Sequence, residues 1–139
     1  MDIVEEFAAA FNRQDVDALL ACFTIGASYR DALYGDHAGT ESLRGMFEQM
    51  FREGRDFAWT MDTIVASPRR AAAEWTFSYV VTEAVPRSAG RRIHLRGMSL
   101  FELEGDQIAA HREYVDTGVV MLQLGLTPES IAKVLARRL

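Results

Sequence analysis

The sequence predicts an α+β domain in which a cone-shaped, strongly twisted antiparallel sheet wraps around N-terminal helices. Three observations predict it. Apolar residues recur at helical spacing as far as Phe51, the period changes to two between Phe57 and Asp116, and helical spacing returns after Thr117. Helices grouped before and after a block of strands, rather than alternating with them, are the mark of α+β architecture.

Ile3, Phe7, Ala10 and Phe11 form the first apolar stripe. Asn12-Arg13-Gln14 breaks it, and Asp15 caps a second short helix carrying Val16, Leu19, Leu20 and Phe23, the two helices forming a lid. Residues 27–33 alternate weakly and are expected as a short edge strand, with Tyr29 and Asp31 on one side and Arg30 on the other. Residues 35–39 read as a loop, and Thr40 as the cap of a third helix whose Leu43, Met46, Phe47, Met50 and Phe51 share a face. Phe57, Trp59, Met61 and Thr63, then Ala73, Trp75, Phe77, Tyr79 and Val81, mark the inner faces of two long antiparallel strands. Residues 84–90 connect them to a hairpin over 95–116, whose first limb buries Ile93, Leu95, Gly97, Ser99, Phe101 and Leu103. A short helix carrying Val119, Val120, Leu122 and Leu124 stops at Gly125. The last helix starts at Thr127-Pro128-Glu129, with cap, first-turn proline and first-turn acid in their preferred places, and ends on Arg137 and Arg138.

With 139 residues and 49% hydrophobic content, the chain is expected to be one domain, 1–139. No apolar run of about eighteen residues is present, and the N-terminal stretch is acidic where a signal peptide is basic, so a cytoplasmic location and no membrane partner are expected. The single cysteine, Cys22, excludes an internal disulfide, and its apolar setting reads as core packing. A net charge of −5 argues against a nucleic-acid partner, which selects for a basic face. Arg87, Arg91, Arg92 and Arg96 make a local basic edge, either a solvated strand face or a surface that steers an anion. His37, His94 and His111 are too scattered for a metal site. No phosphate-cradling glycine loop or nucleophile elbow is present, and no cofactor is expected.

The hairpin is where ionisable groups meet an apolar surface. Its second limb has two open registers, and a one-residue slip exchanges its faces. A three-residue turn through Glu104, Gly105 and Asp106 sets His111 across from Ser99 and Glu113 across from Gly97, both inward. A two-residue turn through Gly105 and Asp106 brings in Ala110, Arg112, Tyr114 and Asp116 instead. Either way titratable groups face two small residues, Gly97 and Ser99, whose missing bulk leaves room for a pocket. Tyr29 and Asp31 can face the same space, a phenol to donate to a developing oxyanion and a carboxylate to take a proton, or simply cap the core rim and start a turn. Trp59, Trp75, Phe77 and Tyr79 are either core or the wall of that pocket.

The element order, the segment SYRDALYGDHAGTESLRGMF and above all FELEGDQIAAHREYVDTGVVMLQLG resemble the nuclear transport factor two-like superfamily, in its SnoaL-like and limonene-epoxide-hydrolase-like branches. The resemblance covers nearly the whole chain and implies a cystatin-like α+β barrel. It is specific for fold and not for activity, because this superfamily hosts isomerases, cyclases, dehydratases, hydrolases and binders. The epoxide-hydrolase pattern has a buried carboxylate at the place of Glu113, which supports the inward register, and its tyrosine and asparagine match Tyr29 and Asp31. Its arginine and second carboxylate fall at Trp75 and Phe77, so that mechanism is not expected. Scytalone dehydratase is similar around Tyr29-Arg30, but its two histidines have no match. The SnoaL-like cyclases use an acid and a histidine, parts that Glu113 and His111 fit by residue type.

Together these readings give two expectations. The first is a cofactor-independent acid–base enzyme of cyclase, isomerase or dehydratase type for a small hydrophobic carbonyl compound. Glu113 or Asp31 serves as base, His111 as proton partner and Tyr29 as oxyanion donor, while Trp59, Trp75, Phe77, Tyr79, Leu95, Gly97 and Ser99 contact substrate. The second is a non-catalytic binding or assembly module of the same fold. The apolar outer face, with Ile64, Val80, Met98, Leu100, Ile108 and Tyr114, predicts a homodimer packed sheet to sheet.

Overall fold

The computed structural model describes residues 2–139 and is α+β. Helices α1 (Ile3–Asn12), α2 (Val16–Ala21) and α3 (Thr40–Glu53) lie against a sheet of six strands. The strands are β1 (Phe23–Asp31), β2 (Gly35–Ala38), β3 (Gly54–Ala66), β4 (Arg70–Val81), β5 (Arg92–Glu104) and β6 (Gln107–Val115), followed by α4 (Thr117–Gln123) and α5 (Pro128–Ala136). The sheet order is β2-β1-β6-β5-β4-β3, and the cone stays open, with β2 and β3 as its edges. No helix is long and apolar enough to cross a membrane among the described residues.

The N-terminal helix is fixed at both ends. Asp2 accepts from the Glu5 N–H at 3.0 Å, an N-cap. At the other end Asn12 is an adhesive rather than a breaker: its side chain donates to the Trp59 carbonyl at 3.0 Å and accepts the Trp59 N–H at 2.7 Å, extending the β3 ladder by one amide. Between them Val4, Phe7, Ala8, Ala10 and Phe11 are buried on the concave face. Phe7 is the hub, meeting the rings of Phe23, Trp59, Phe101 and His111 edge-on at centroid distances of 5.1–6.0 Å. Such contacts add about 0.5–1.5 kcal/mol each beyond area burial. The expected caps Asp15 and Thr127 are in place, and Asp116 caps α4. Thr40 is not a cap. Gly39, at φ +88°, holds that position, and the Thr40 hydroxyl donates to the Ile25 carbonyl. Phe23 opens β1 instead of closing α2.

Three further departures concern the sheet. Residues 27–33 are not an edge: β1 pairs with β2 on one side and, in parallel, with β6 on the other, and the expected loop over 35–39 contains β2 itself. On β3 a register shift between Met61 and Thr63 turns Thr63 out, and Ile64 packs on the core. The third departure decides the site. The β5–β6 turn is the two-residue one, with Glu104 opposite Gln107, and alone it would bring Arg112 and Tyr114 inward. A bulge then intervenes: Ile108 pairs with Leu103 but Ala110 with Glu102, leaving Ala109 unopposed. The two-residue turn itself sets Ile108, expected outside, inward opposite Leu103, where it is fully buried; beyond the bulge the faces are exchanged, so His111 and Glu113 point inward opposite Phe101 and Ser99 rather than Ser99 and Gly97. Of the other expected outer-face residues, Val80 is buried, while Met98 and Tyr114 are 49% and 57% exposed as cross-strand neighbours.

Candidate active site

The parallel pairing of β1 with β6 builds the site. It sets Tyr29 beside His111 and Arg30 beside Arg112, so the next inward pair is Asp31 and Glu113. β1 ends there in an Asx turn: Asp31 Oδ2 accepts the N–H groups of Leu33 and Tyr34, each at 2.8 Å. The same turn presents the Ala32 N–H to Glu113 Oε1 at 3.3 Å, and the Tyr29 hydroxyl donates to Glu113 Oε2 at 3.2 Å. The two carboxyls are near enough for each to shift the ionisation of the other. Asp31 therefore starts a turn and lines a site at once.

Two carboxyls in this setting cannot both ionise cheaply. Burial pushes both above the ordinary carboxylate range. For Asp31 the two backbone donors pull back toward the anion. For Glu113 the Asp31 charge adds to burial, and its carboxyl lies well above the usual value. The donors thus favour the anion at Asp31, while burial and the neighbouring charge favour the protonated form at Glu113. Burial and the neighbouring Glu113 also raise the Tyr29 phenol, which stays a donor.

These groups open on a narrow cavity of about 50 Å³, measured over the positions a water centre can occupy. That is room for a few waters. Trp59, Trp75, Phe77, Tyr79 and Leu95 line it as expected, joined by residues the sequence reading passed over: Phe11 of α1, Tyr34, Phe57 and Val120 among them. Asp116-Thr117 marks the start of α4 in the sequence, and Val120 is one of its two buried residues. The Trp59 indole N–H is a buried donor without a partner.

His111, Ser99 and Gly97 are not brought to the cavity. His111 is fully buried, stacks on Phe101 at a centroid distance of 4.6 Å and meets the Tyr29 ring edge-on at 4.3 Å. Its Nε2 lies 2.7 Å from Ser99 Oγ, which also accepts the Trp75 indole N–H at 2.9 Å. Burial, helped by Arg112, lowers its pKa from 6.5 to about 3, which favours the neutral ring, and the side chain stands outside the cavity where the expected proton partner would act. Gly97 leaves no empty space either: a Cβ there would stand 2.6 Å from the Trp75 ring, so the absent side chain is the room into which that indole packs. Cys22 is buried, its Sγ donates to the Ala18 carbonyl and burial pushes its thiol up to about 11, as a packing role requires. Among the described residues no group of three His, Cys, Asp or Glu side chains is placed to hold a metal ion.

The SnoaL-like domain family matches residues 4–111, more than half of the chain. The chain belongs to that family. Tyr29 and Asp31 fall inside the matched span and Glu113 just beyond it. No curated protein matches. Solved structures with the same nuclear transport factor two-like fold include a protein of Catenulispora acidiphila with a ketosteroid isomerase-like fold, in complex with trimethylamine. It has 20% identity and a TM-score of 0.79 over 91% of this chain and 95% of that one. A candidate polyketide cyclase of Xanthomonas campestris is 22% identical, with a TM-score of 0.74 over 88% and 94%. An LEH-like epoxide hydrolase of M. tuberculosis is 17% identical, with a TM-score of 0.72 over 97% and 93%. At these identities the likeness is one of fold.

Proposed function

We propose that this protein is a cofactor-independent acid–base enzyme of cyclase, isomerase or dehydratase type, acting on a small hydrophobic carbonyl compound. The carrying observation is the pair of carboxyls, Asp31 and Glu113, side by side in a cavity whose other walls are aromatic and aliphatic, with both raised by burial. Asp31, ionised and steered by the backbone of Leu33 and Tyr34, takes a proton from the carbon beside the carbonyl. Glu113, protonated and bonded to Tyr29, donates toward the enolate oxygen as charge develops there. Return of the proton from Asp31 to a different carbon completes an isomerisation; its delivery to a β-hydroxyl, which leaves as water while the oxygen of the re-formed carbonyl gives its proton back to Glu113, completes a dehydration. Membership of the SnoaL-like family and the likeness to a candidate polyketide cyclase support this reading. The epoxide-hydrolase mechanism is disfavoured by Trp75 and Phe77, apolar walls where that pattern carries an arginine and an acid.

Deuterium exchange at the α-carbon of small cyclic ketones, followed by NMR, tests this. Exchange that disappears in Asp31→Asn and Glu113→Gln supports the enzyme. Saturable ketone binding without exchange in the wild type contradicts it and favours a binding module. The outer face, where exposed Met98 and Tyr114 adjoin across β5 and β6, supports a homodimer through the sheet, which Tyr114→Glu would dissociate in sedimentation equilibrium.

A further inference from the structure

The cavity does not end at its own walls. Leu33, Tyr34 and Tyr79 are shared with an outer vestibule of about 310 Å³, which they form together with Val85 and Leu124. Val85 and Leu124 are shared in turn with an open groove of about 460 Å³ between the β4–β5 connection and α4–α5. Through these shared residues the cavity, the vestibule and the groove adjoin in series along a path past Tyr34 and Tyr79.

The groove has a different character. Arg87, Lys133 and Arg137 line it, all exposed, and no carboxylate does. None of the three has a carboxylate within 4.0 Å among the described residues, although the chain as a whole carries a net charge of −5. A fourth cation, Arg91, lies over Gly125 on the rim and donates to the Gln123 carbonyl. Thr127 and Ser130 add hydroxyls at the start of α5, where the N-terminal dipole also favours an anion. Along the path the one carboxylate is Glu53 in the vestibule, already bonded to the Tyr34 hydroxyl at 2.6 Å and to Gln49 at 3.2 Å. In a net acidic protein, several unneutralised cations on one groove with an apolar floor select for an amphiphilic anion.

We infer that the substrate is an extended amphiphile whose apolar carbonyl-bearing head enters the cavity while an acidic group at its far end sits in the Arg87/Lys133/Arg137 groove. This rests on the acid–base reading of the cavity for what happens to the head, but the groove is tested by binding alone. The ring of Tyr34, held by Glu53, stands where head and tail would be joined.

The test is isothermal titration calorimetry on the full chain with three probes sharing a phenyl head and a six-carbon linker: 6-phenylhexyl phosphate, 6-phenylhexanoate and 6-phenylhexanol. At low salt at least one anionic probe is expected to bind about tenfold or more tightly than the alcohol, which is about 1.4 kcal/mol. The advantage should shrink in 0.5 M salt and vanish in Arg87→Gln/Lys133→Gln/Arg137→Gln, which leaves the alcohol's affinity unchanged. Phosphate favoured over carboxylate identifies a phosphoester tail, and the reverse a carboxylic acid; either supports the inference. Equal affinity of all three probes, binding by none, or an anion preference that survives the triple variant overturns it. Ketone exchange in the triple variant keeps the two readings apart. If exchange persists there and the wild type shows no anion preference, the groove alone fails. If anion preference is present and exchange absent, the acid–base reading fails.

Discussion

His111 and Glu113 stand two residues apart on the same inward face of β6, and their surroundings make opposite chemistry of them. His111 is enclosed by Phe7, Tyr29 and Phe101, has one polar neighbour in Ser99, and is held neutral by burial. Glu113 is only partly buried and shares its space with Asp31, a backbone N–H and the Tyr29 hydroxyl, and its carboxyl is raised well above the ordinary range beside that neighbouring acid. Burial alone produces an inert titratable group. Burial beside a second titratable group and an open cavity produces a working one.

The widest separation between the two is expected in turnover. Asp31→Asn removes the base and should lower ketone α-proton exchange about 10²–10⁴-fold, whereas His111→Phe, which keeps the stack on Phe101, should leave it within about threefold, both read by NMR. A comparable loss in the histidine variant would break the distinction.

Stability against pH should separate them next, with slopes of opposite sign. Between pH 6.5 and about 3 the unfolded chain protonates His111 while the folded chain does not, so stability falls as pH drops, by about 1.4 kcal/mol per pH unit. For Glu113 the folded pKa is raised, so its contribution is fully present below the ordinary 4.5 and is lost as pH rises through the folded value. Urea melts across pH 4–8 should lose the acid-side slope in His111→Phe and the alkaline-side slope in Glu113→Gln.

Smaller effects refine the boundary. Ser99→Ala takes the acceptor from the Trp75 indole and the partner from His111, costing about 1–3 kcal/mol in denaturant melts with little change in exchange. Tyr29→Phe removes one hydrogen bond to Glu113, a change of about 0.5–1.5 kcal/mol. Because that bond lowers the Glu113 pKa, its loss should move the alkaline limb of the exchange profile upward.

The architecture was legible because most of it is local. Asp15, Asp116 and Thr127-Pro128 announce helix starts, and the alternation from Ala73 to Val81 admits only a strand. The inward face of β6 was correctly chosen through the family resemblance, but by a different route from the one the chain takes. A two-residue turn followed by a bulge at Ala109 reaches the same face as a three-residue turn, and neither alanine around the bulge marks it in the sequence. Tyr29 and Asp31 were recognised as a pair, yet their junction with Glu113 depends on a parallel contact between strands remote in sequence, to which no periodicity speaks. The place of His111 is hidden from the sequence for a related reason. A histidine two residues from a carboxylate reads as its partner, until the packing shows Phe101 stacked on one face and Ser99 at its edge. Small Gly97 and Ser99 suggested space, where one accommodates the Trp75 ring and the other its N–H.

The most direct test of the opposed ionisation of Asp31 and Glu113 is a carbon-13 NMR titration of the two side-chain carboxyls, in the wild type and in Asp31→Asn. The account predicts that Asp31 ionises first, that Glu113 titrates well above 4.5, and that its pKa falls when Asp31 no longer carries charge. Two carboxyls titrating independently near their ordinary values, with Glu113 unmoved by Asp31→Asn, would contradict it.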